Sequence, residues 1–229
     1  MIDIHTHILP NVDDGSNSLA TSLAMLQKSE TAGVTDIVLT PHLRFFYNKT
    51  PAELKDAYEH FVAFAKSHDV NVNLFLGQEI FVDRHWKKLF ASDGFLKMAN
   101  SNCILLEFDY FDPIDISEIV YELITRGFKP IIAHVERYRY LTFDDICDIK
   151  SIGGLIQVNA SSVVGEEARK FKKLMKSLFK NGLVDFIASD IHDKRKYLLS
   201  EAYEFVSKKF GKETAATVFE INAKEYLGI

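Results

Sequence analysis

Seven short apolar runs punctuate the chain, and between them apolar residues recur at the three- and four-residue spacing of amphipathic helices. Ile2 and Ile4 alternate with polar neighbours as a first strand, Ile37-Val38-Leu39 reads as a buried second, and residues 72–77 as a third. Ile104-Leu105-Leu106-Glu107, Pro130-Ile131-Ile132-Ala133, Leu155 to Val158 and Val184 to Ala188 supply the rest. The first helix follows a cap at Asn17 or Ser18 and carries Leu19, Leu23 and Leu26, with Gly33 beyond its end. Thr50-Pro51-Ala52-Glu53 is a capping box with proline at the first helical position, opening a helix to about Ser67 with Leu54, Tyr58, Phe61 and Ala65 on one stripe. Further helices are predicted over 116–125 and near 143–151, and the clearest carries Phe171, Leu174, Met175, Leu178 and Phe179. After the seventh strand the remainder is helical.

Strands alternating with helices, with no linker or low-complexity break, predict an α/β fold of parallel strands joined by crossover helices. Closed on itself this is a distorted seven-stranded (β/α), TIM-like barrel; an open doubly wound sheet is the alternative. A length of 229 residues suits one domain, 1–229.

What changes the picture is the content of the strand ends. Five of the eight histidines, His5, His7, His42, His134 and His192, fall at or just after a predicted strand, whereas His60, His68 and His85 fall in helical or connecting segments. Asp14, Glu79, Glu107 and Asp190 join them. His5-Thr6-His7 and Asp190-Ile191-His192 each put two ligand-type residues on one face of a strand exit. Two like unit charges ~4 Å apart at an effective dielectric near 20 repel by ~4 kcal/mol, so four carboxylates in one pocket require cations among them. Nitrogen and oxygen donors without cysteine suit Zn, Mn or Fe, and nine candidates suffice for three ions sharing bridging groups. Taken singly, Glu107 could be a buried acid paired with an arginine, Asp14 a cap before Gly15, and His42 a loop histidine.

Composition narrows the class. A net charge of −5 gives no electrostatic footprint for nucleic acid, and no apolar run is long enough to cross a bilayer. Two cysteines are too few for a disulfide framework and suit a reducing compartment, and no secretory signal is visible, so a cytoplasmic protein is expected. Cys103 and Cys147 are followed six residues later by Asp109 and Gly153, where a cysteine-based phosphatase needs arginine, and there is no Gly-rich phosphate loop.

Asp3-Ile4-His5-Thr6-His7 with Val12-Asp13-Asp14-Gly15, Leu39-Thr40-Pro41-His42, Gly77-Gln78-Glu79-Ile80, Leu106-Glu107-Phe108, His134-Val135-Glu136-Arg137-Tyr138, Gln157-Val158-Asn159-Ala160 and Ser189-Asp190-Ile191-His192 together resemble the polymerase and histidinol phosphatase (PHP) superfamily. More narrowly, the sequence resembles its bacterial tyrosine-protein phosphatases of capsule and exopolysaccharide clusters. The resemblance implies a trinuclear site, with manganese the first expectation and iron or zinc the alternatives. By matching positions, His5, His7, Glu79 and Asp190 would hold one ion, Glu79 bridging to a second held by Glu107 and His134, and Asp14, His42 and His192 the third. Arg137 would clamp the phosphate; Arg195 matches a second family arginine only loosely in spacing. The structural alternative for Arg137 is a salt bridge to Glu136 or a pocket acid.

Under that resemblance a metal-bound hydroxide attacks phosphotyrosine in line with the departing phenolate. The natural substrate would be a phosphotyrosine protein, the tyrosine-rich tail of a kinase regulating capsule synthesis, met at the membrane surface without insertion. A homo-oligomer is left open, and Phe45-Phe46-Tyr47 either walls a pocket for the tyrosine ring, packs on the barrel or meets another subunit. Two rivals remain: a small-molecule phosphomonoesterase of the same fold, acting on histidinol phosphate, and a metal-stabilised module that binds a kinase without chemistry. An amidohydrolase is disfavoured because Glu107, not lysine, ends the fourth strand.

Overall fold

The computed structural model describes residues 1–92, 94–165 and 171–229, and for residues 171 and 172 the backbone alone. In chain order it runs β1 (Ile2–Thr6), α1 (Leu19–Thr31), β2 (Asp36–Leu39), β3 (His42–Leu43), α2 (Pro51–Lys66), β4 (Asn73–Leu76), β5 (Glu79–Phe81) and α3 (Trp86–Leu89). It continues through β6 (Cys103–Glu107), α4 (Ile116–Thr125), β7 (Lys129–Ile132), a 3-10 turn (Val135–Arg137), α5 (Phe143–Ser151), β8 (Leu155–Asn159), α6 (Ala160–Val164) and α7 (Phe171–Lys180). β9 (Phe186–Ala188) is followed by α8 (Leu199–Phe210), α9 (Lys212–Ala216), a π-helical turn (Thr217–Ile221) and α10 (Asn222–Leu227).

Every pairing between the described strands is parallel, so the α/β class expected from the alternation is what forms. The strands fall into a three-stranded sheet, β1-β2-β4, and a curled six-stranded sheet, β3-β5-β6-β7-β8-β9. Two predicted strands are each broken. Pro41, with no N–H to give a ladder, separates β2 from β3, and Gly77-Gln78 separates β4 from β5. Backbone bonds run across the breaks: Thr40 N donates to Thr6 O at 2.9 Å, Gly77 N to Leu39 O at 2.8 Å and Glu79 N to Pro41 O at 3.2 Å. Beyond β9 the chain returns to β1, with Asp190 N on His5 O at 2.9 Å and His7 N on Ile191 O at 3.0 Å.

The strand residues divide between two apolar clusters according to the period of two. Ile2, Ile4, Val38, Cys103, Leu105, Ile131, Phe186 and Ala188 meet in an inner cluster, whereas Ile37, Leu39, Ile104, Leu106, Ile132, Ile156, Val158 and Ile187 pack outward on the helices. Ala223 and Leu227 of α10 close the inner cluster. Cys103 packs there as a small hydrophobe, and both cysteines are free.

The helices sit where their caps predict. Ser18, not Asn17, caps α1, and Thr50 and Glu53 form the reciprocal capping box of α2. On α2 the buried stripe is Leu54, Phe61 and Ala65, while Tyr58 stays partly exposed so that its hydroxyl can donate to Leu74 O at 2.6 Å. On α1 the expected stripe is corrected: Leu19 is exposed and Leu23 half-buried, and Ser22, Met25, Leu26 and Ser29 are the buried positions. Ser22 faces inward with its hydroxyl donating to Ile8 O, one turn before the buried Leu26, and the stripe runs through Ser22 rather than Leu23. Met175, Leu178 and Phe179 of α7 are buried as expected; the side chain of Phe171 lies outside the described residues. Among the described residues no helix is long and apolar enough to cross a membrane.

Candidate metal centre at the strand ends

β1 delivers the first pair by breaking its own regularity. Ile4 packs into the inner cluster and His5 reaches the Glu79 carboxylate at 3.4 Å, two neighbours that an undisturbed strand would send to opposite faces. The register shift between Asp3 and Thr6 is the bulge that allows it. His42 opens β3, Glu79 opens β5 directly beside it in register, and Glu107 ends β6. His134 and Asp190 follow β7 and β9 in left-handed backbone, φ +32° and +50°, conformations that cost non-glycine residues about 1–3 kcal/mol. That cost is met by contacts that fix the backbone: His134 N donates to Gln157 Oε1 at 2.8 Å, and Asp190 N to His5 O.

The structure brings all nine predicted residues together. The imidazole of His7 lies 4.3 Å from that of His42 and 4.2 Å from that of His192, centroid to centroid, and His5 lies 5.6 Å from His134. Glu79 is the hub: its oxygens lie 2.7 Å from His42, 2.9 Å from His134, 3.3 Å from His7 and 3.4 Å from His5. Four overlapping donor sets have the spacing to hold a metal ion: His7-Asp14-His42-His192, His5-His7-Asp190, His5-Glu79-His134 and His42-Glu79-Glu107. Asp14 does not cap α1, since Ser18 does; its carboxylate faces His42 at 3.4 Å and His192 at 3.6 Å. His60, His68 and His85 are exposed and apart from the nest.

Charge settles what the nest is built for. Gln157 Oε1 acts as an acceptor because it takes the His134 N–H, so His5 donates to it from Nδ1, which in the neutral imidazole puts the lone pair on Nε2. Asp13 accepts from His7 Nδ1 at 2.7 Å, leaving His7 Nε2 in the same state. These two Nε2 atoms face each other at 3.2 Å. Burial opposes charge on both rings, yet Glu79 and Asp190 raise the pKa of His5, and Asp13 and Glu79 that of His7, so this point calls for a cation, a proton in the protein alone or a metal ion in its place. The second sign is orphaned polarity: buried His42 Nδ1 and Glu79 Oε2 lie 2.7 Å apart yet neither makes an aligned hydrogen bond, and buried His134 Nδ1 makes none. Atoms converging on a common centre rather than on one another are the geometry of ligands. The donor set fits divalent ions.

Among the protein groups alone, protonation follows the same field. Burial opposes charge at Glu79, but the imidazoles of His5 and His42 hold its carboxyl well below the usual range. Burial likewise opposes charge on His42, which Glu79 and Asp14 nevertheless hold up at about 9, while burial and His7 push His192 down to about 4.

Three arginines, Arg44, Arg137 and Arg195, line a small cavity of about 90 Å³, room for about three waters. Arg137 donates from Nη1 to Asp190 Oδ2 at 2.8 Å, the salt bridge to a pocket acid that was the alternative to a phosphate clamp, and Arg195 Nη1 lies 2.7 Å from the same oxygen. Arg195 also donates to Asp190 O at 2.8 Å, so its loose sequence spacing still brings it to the nest.

Sequence reasoning passed over several residues. Arg44 donates to Glu107, so the arginine-paired acid considered for Glu107 also exists in the molecule. Tyr110 donates to Glu107 Oε1 at 2.8 Å. Asp13 accepts from His7, from His42 N at 3.0 Å and from Gly15 N at 2.9 Å, which makes it the brace of two ligands. Asn159 donates to Asp190 Oδ2 at 2.9 Å and accepts from Gln157 Nε2 at 2.8 Å. The signals existed: a second acid beside Asp14, and two amides, period two apart, in a strand that is otherwise apolar. Gly15 belongs to the same brace, because a Cβ there would stand 2.1 Å from His7 O. Asp13→Asn is expected to weaken divalent-ion binding by about 10- to 100-fold, measured by calorimetric titration, with the circular dichroism spectrum unchanged.

Parallel strands ending in a nest of histidines and carboxylates define the class: an α/β protein with a candidate metal centre at the carboxyl ends of its strands. The sequence pattern of the capsular polysaccharide synthesis CpsB/CapC family matches residues 1–228, and the chain belongs to that family. It is 30% identical over 240 residues to the tyrosine-protein phosphatase CpsB of Streptococcus agalactiae, covering 99% of this chain and 98% of that one. It is 30% identical over 219 residues to the tyrosine-protein phosphatase YwqE of Bacillus subtilis, covering 93% and 86% respectively. Its backbone matches a crystal structure from work on YwqE of Bacillus subtilis and CpsB of Streptococcus pneumoniae, described as metal-dependent tyrosine phosphatases. The TM-score is 0.93 at 29% identity, over 100% of this chain and 94% of that one.

Proposed function

We propose that the chain is a metal-dependent protein-tyrosine phosphatase acting on a phosphotyrosine protein, the tail of a tyrosine kinase that regulates capsule or exopolysaccharide synthesis. The observation that carries the reading is the convergence of the Nε2 atoms of His5 and His7, 3.2 Å apart, with the carboxylates of Glu79 and Asp190 around them. His5, His7, Glu79 and Asp190 would hold one divalent ion, Glu79, Glu107 and His134 a second, and Asp14, His42 and His192 a third, with manganese ahead of iron and zinc. Bound ions would supply Lewis acidity toward the phosphoryl oxygens and lower the pKa of water from ~15.7 to about 7.

The protein's own groups do the rest. Arg137 and Arg195, both turned to Asp190 at the rim, are placed to receive phosphoryl oxygens with planar forks and to balance charge that grows in the transition state. Asp13, Gln157 and Asn159 keep the imidazoles and Asp190 in the orientation the reaction needs. Burial and the Glu107 carboxylate raise the pKa of Tyr110, so its hydroxyl stays protonated and orders Glu107. A phenolate, with a conjugate-acid pKa of about 10, leaves without help from a general acid, which favours aryl over alkyl esters.

Residues 1–229 act in this reading as one domain, and the nine strands as the seven staves of a distorted barrel, with β2/β3 and β4/β5 each one broken stave. The backbone bonds across the breaks and from β1 to the segment after β9 support that count. Two unpaired cysteines support a cytoplasmic location.

The test is phosphate release from a phosphotyrosine peptide, a phosphoserine peptide and histidinol phosphate, each after chelation and after adding back manganese, iron or zinc. The expected result is a rate lost to the chelator, restored by an ion and highest on the phosphotyrosine peptide. An equal or higher rate on histidinol phosphate would replace the proposal with a small-molecule phosphatase, and kinase binding without phosphate release would replace it with a binding module.

A further inference from the structure

Beside the nest the molecule carries a second hollow ten times larger, about 910 Å³, with Phe81, Leu89 and Phe108 among its lining residues. Its rim is a tight turn in which Arg44 N donates to Tyr47 O at 2.9 Å and Tyr47 N to Arg44 O at 2.8 Å. Both flanks of the turn are fastened to the nest. Arg44 donates to Glu107 and lies 5.0 Å from the Phe81 ring centroid, and Tyr47 stacks on His42 with ring centroids 5.9 Å apart. Between the flanks Phe45 and Phe46 are held out, 86% and 82% exposed, their rings edge to face at 5.0 Å. They do not pack on the barrel. Large aromatic side chains left in water on a fastened turn, next to an apolar hollow, mark a surface made to be covered.

The occupant follows from continuity. Arg44, Glu107 and Tyr110 line both the hollow and the cavity of the nest, so the two are one opening. A phosphoryl group among the arginines and metal ligands would point its ester substituent into the hollow. A volume of about 910 Å³ lies near the top of the roughly 300–1,000 Å³ range of clefts that seat drug-sized molecules, more than one phenol ring fills. Arg44 is taken by Glu107 and Lys88 offsets one of Asp83 and Asp109, so a single unbalanced acid remains and the apolar surface is the main basis of recognition. We infer that this cleft seats the phosphotyrosine ring together with an adjacent apolar or aromatic side chain of the same peptide, Phe45 and Phe46 closing over that neighbour. Specificity for sequence context around the phosphotyrosine then resides in the Arg44–Tyr47 turn. The inference rests on the phosphatase reading and extends it to the neighbouring substrate residue.

The test compares two phosphotyrosine peptides that differ only in carrying glycine or phenylalanine next to the phosphotyrosine, on the metal-loaded wild type and on Phe45→Ala/Phe46→Ala. Both rings are exposed, so the double variant keeps the fold, which its melting temperature checks. The wild type should favour the phenylalanine peptide about tenfold in kcat/KM, chiefly through KM, and the double variant should lose that preference. Binding of the corresponding phosphonomethyl-phenylalanine peptides, followed by fluorescence anisotropy, should show the same preference and the same loss without turnover. Equal handling of the two peptides by the wild type, or a preference that survives the double substitution, overturns the inference. So does self-association of the wild type that the double variant abolishes while selectivity stays put, since the rings would then be a contact between copies. If the wild type hydrolyses neither peptide with any of the three metals, it is the phosphatase reading that has failed.

Discussion

Glu79→Gln should leave the protein folded and reduce phosphotyrosine hydrolysis by about 10³-fold or more. Glutamine has the shape of glutamate but lacks its charge, and one of its two terminal atoms is a donor. Glu79 meets four imidazoles with its two oxygens and shares in two of the four candidate ligand sets, bridging one to the other. An amide nitrogen turned toward His42 or His134 puts N–H groups where lone pairs must converge, and the surviving carboxamide oxygen serves only one side of the hub. Lewis-acid stabilisation is worth several kcal/mol and each 1.36 kcal/mol is a factor of ten, which sets the scale of the loss. Elemental analysis should show fewer ions per chain than in the wild type. A variant that retains full metal content and full activity would show that Glu79 is not the bridge and that the donor sets meet elsewhere.

Arg137→Ala is expected to lower kcat/KM on phosphotyrosine peptides by about 10²- to 10³-fold with metal content unchanged. Arg137 follows His134 by a single 3-10 turn, so its guanidinium is carried by the same backbone that places a metal ligand, and only 19% of its side chain is exposed. Its fork lies on Asp190 Oδ2 beside that of Arg195, a two-cation rim over one carboxylate. Lysine at 137 restores charge but not the planar pair of donors, and should recover only part of the rate. Loss of metal in parallel with activity would mean that Arg137 acts by holding Asp190 and not by touching phosphate.

Much of this was legible in the chain because two periodicities never conflict. The buried strands announce themselves by runs such as Ile104-Leu105-Leu106, and the ligands by falling at the ends of those runs. The Thr50 capping box fixed the start of α2 to the residue. What was not legible depended on contacts far apart in sequence. On α1 Ser22 takes the core position beside Leu26 that the pattern gave to Leu23, its hydroxyl serving Ile8 O, and no helical period contains that bond. Broken staves at Pro41 and Gly77-Gln78 split strands that apolar patterning joins. Arg44 gave no signal, since an arginine after His42-Leu43 looks like any loop cation until Glu107 is seen beneath it. Asp13 was visible as half of a pair, and only the 2.7 Å contact with His7 says which acid braces and which faces the nest.

The bond from Asp190 N to His5 O joins β1 to the segment after β9, and the nest is complete only when both are present. A nascent chain emerging from the ribosome therefore displays His5 and His7 long before Asp190 and His192 exist to complete their donor sets. The two donor sets that include Asp190 or His192 are thus completed only after the segment beyond β9 has emerged and folded back on β1, and a product truncated before Asp190 should bind fewer ions and be inert.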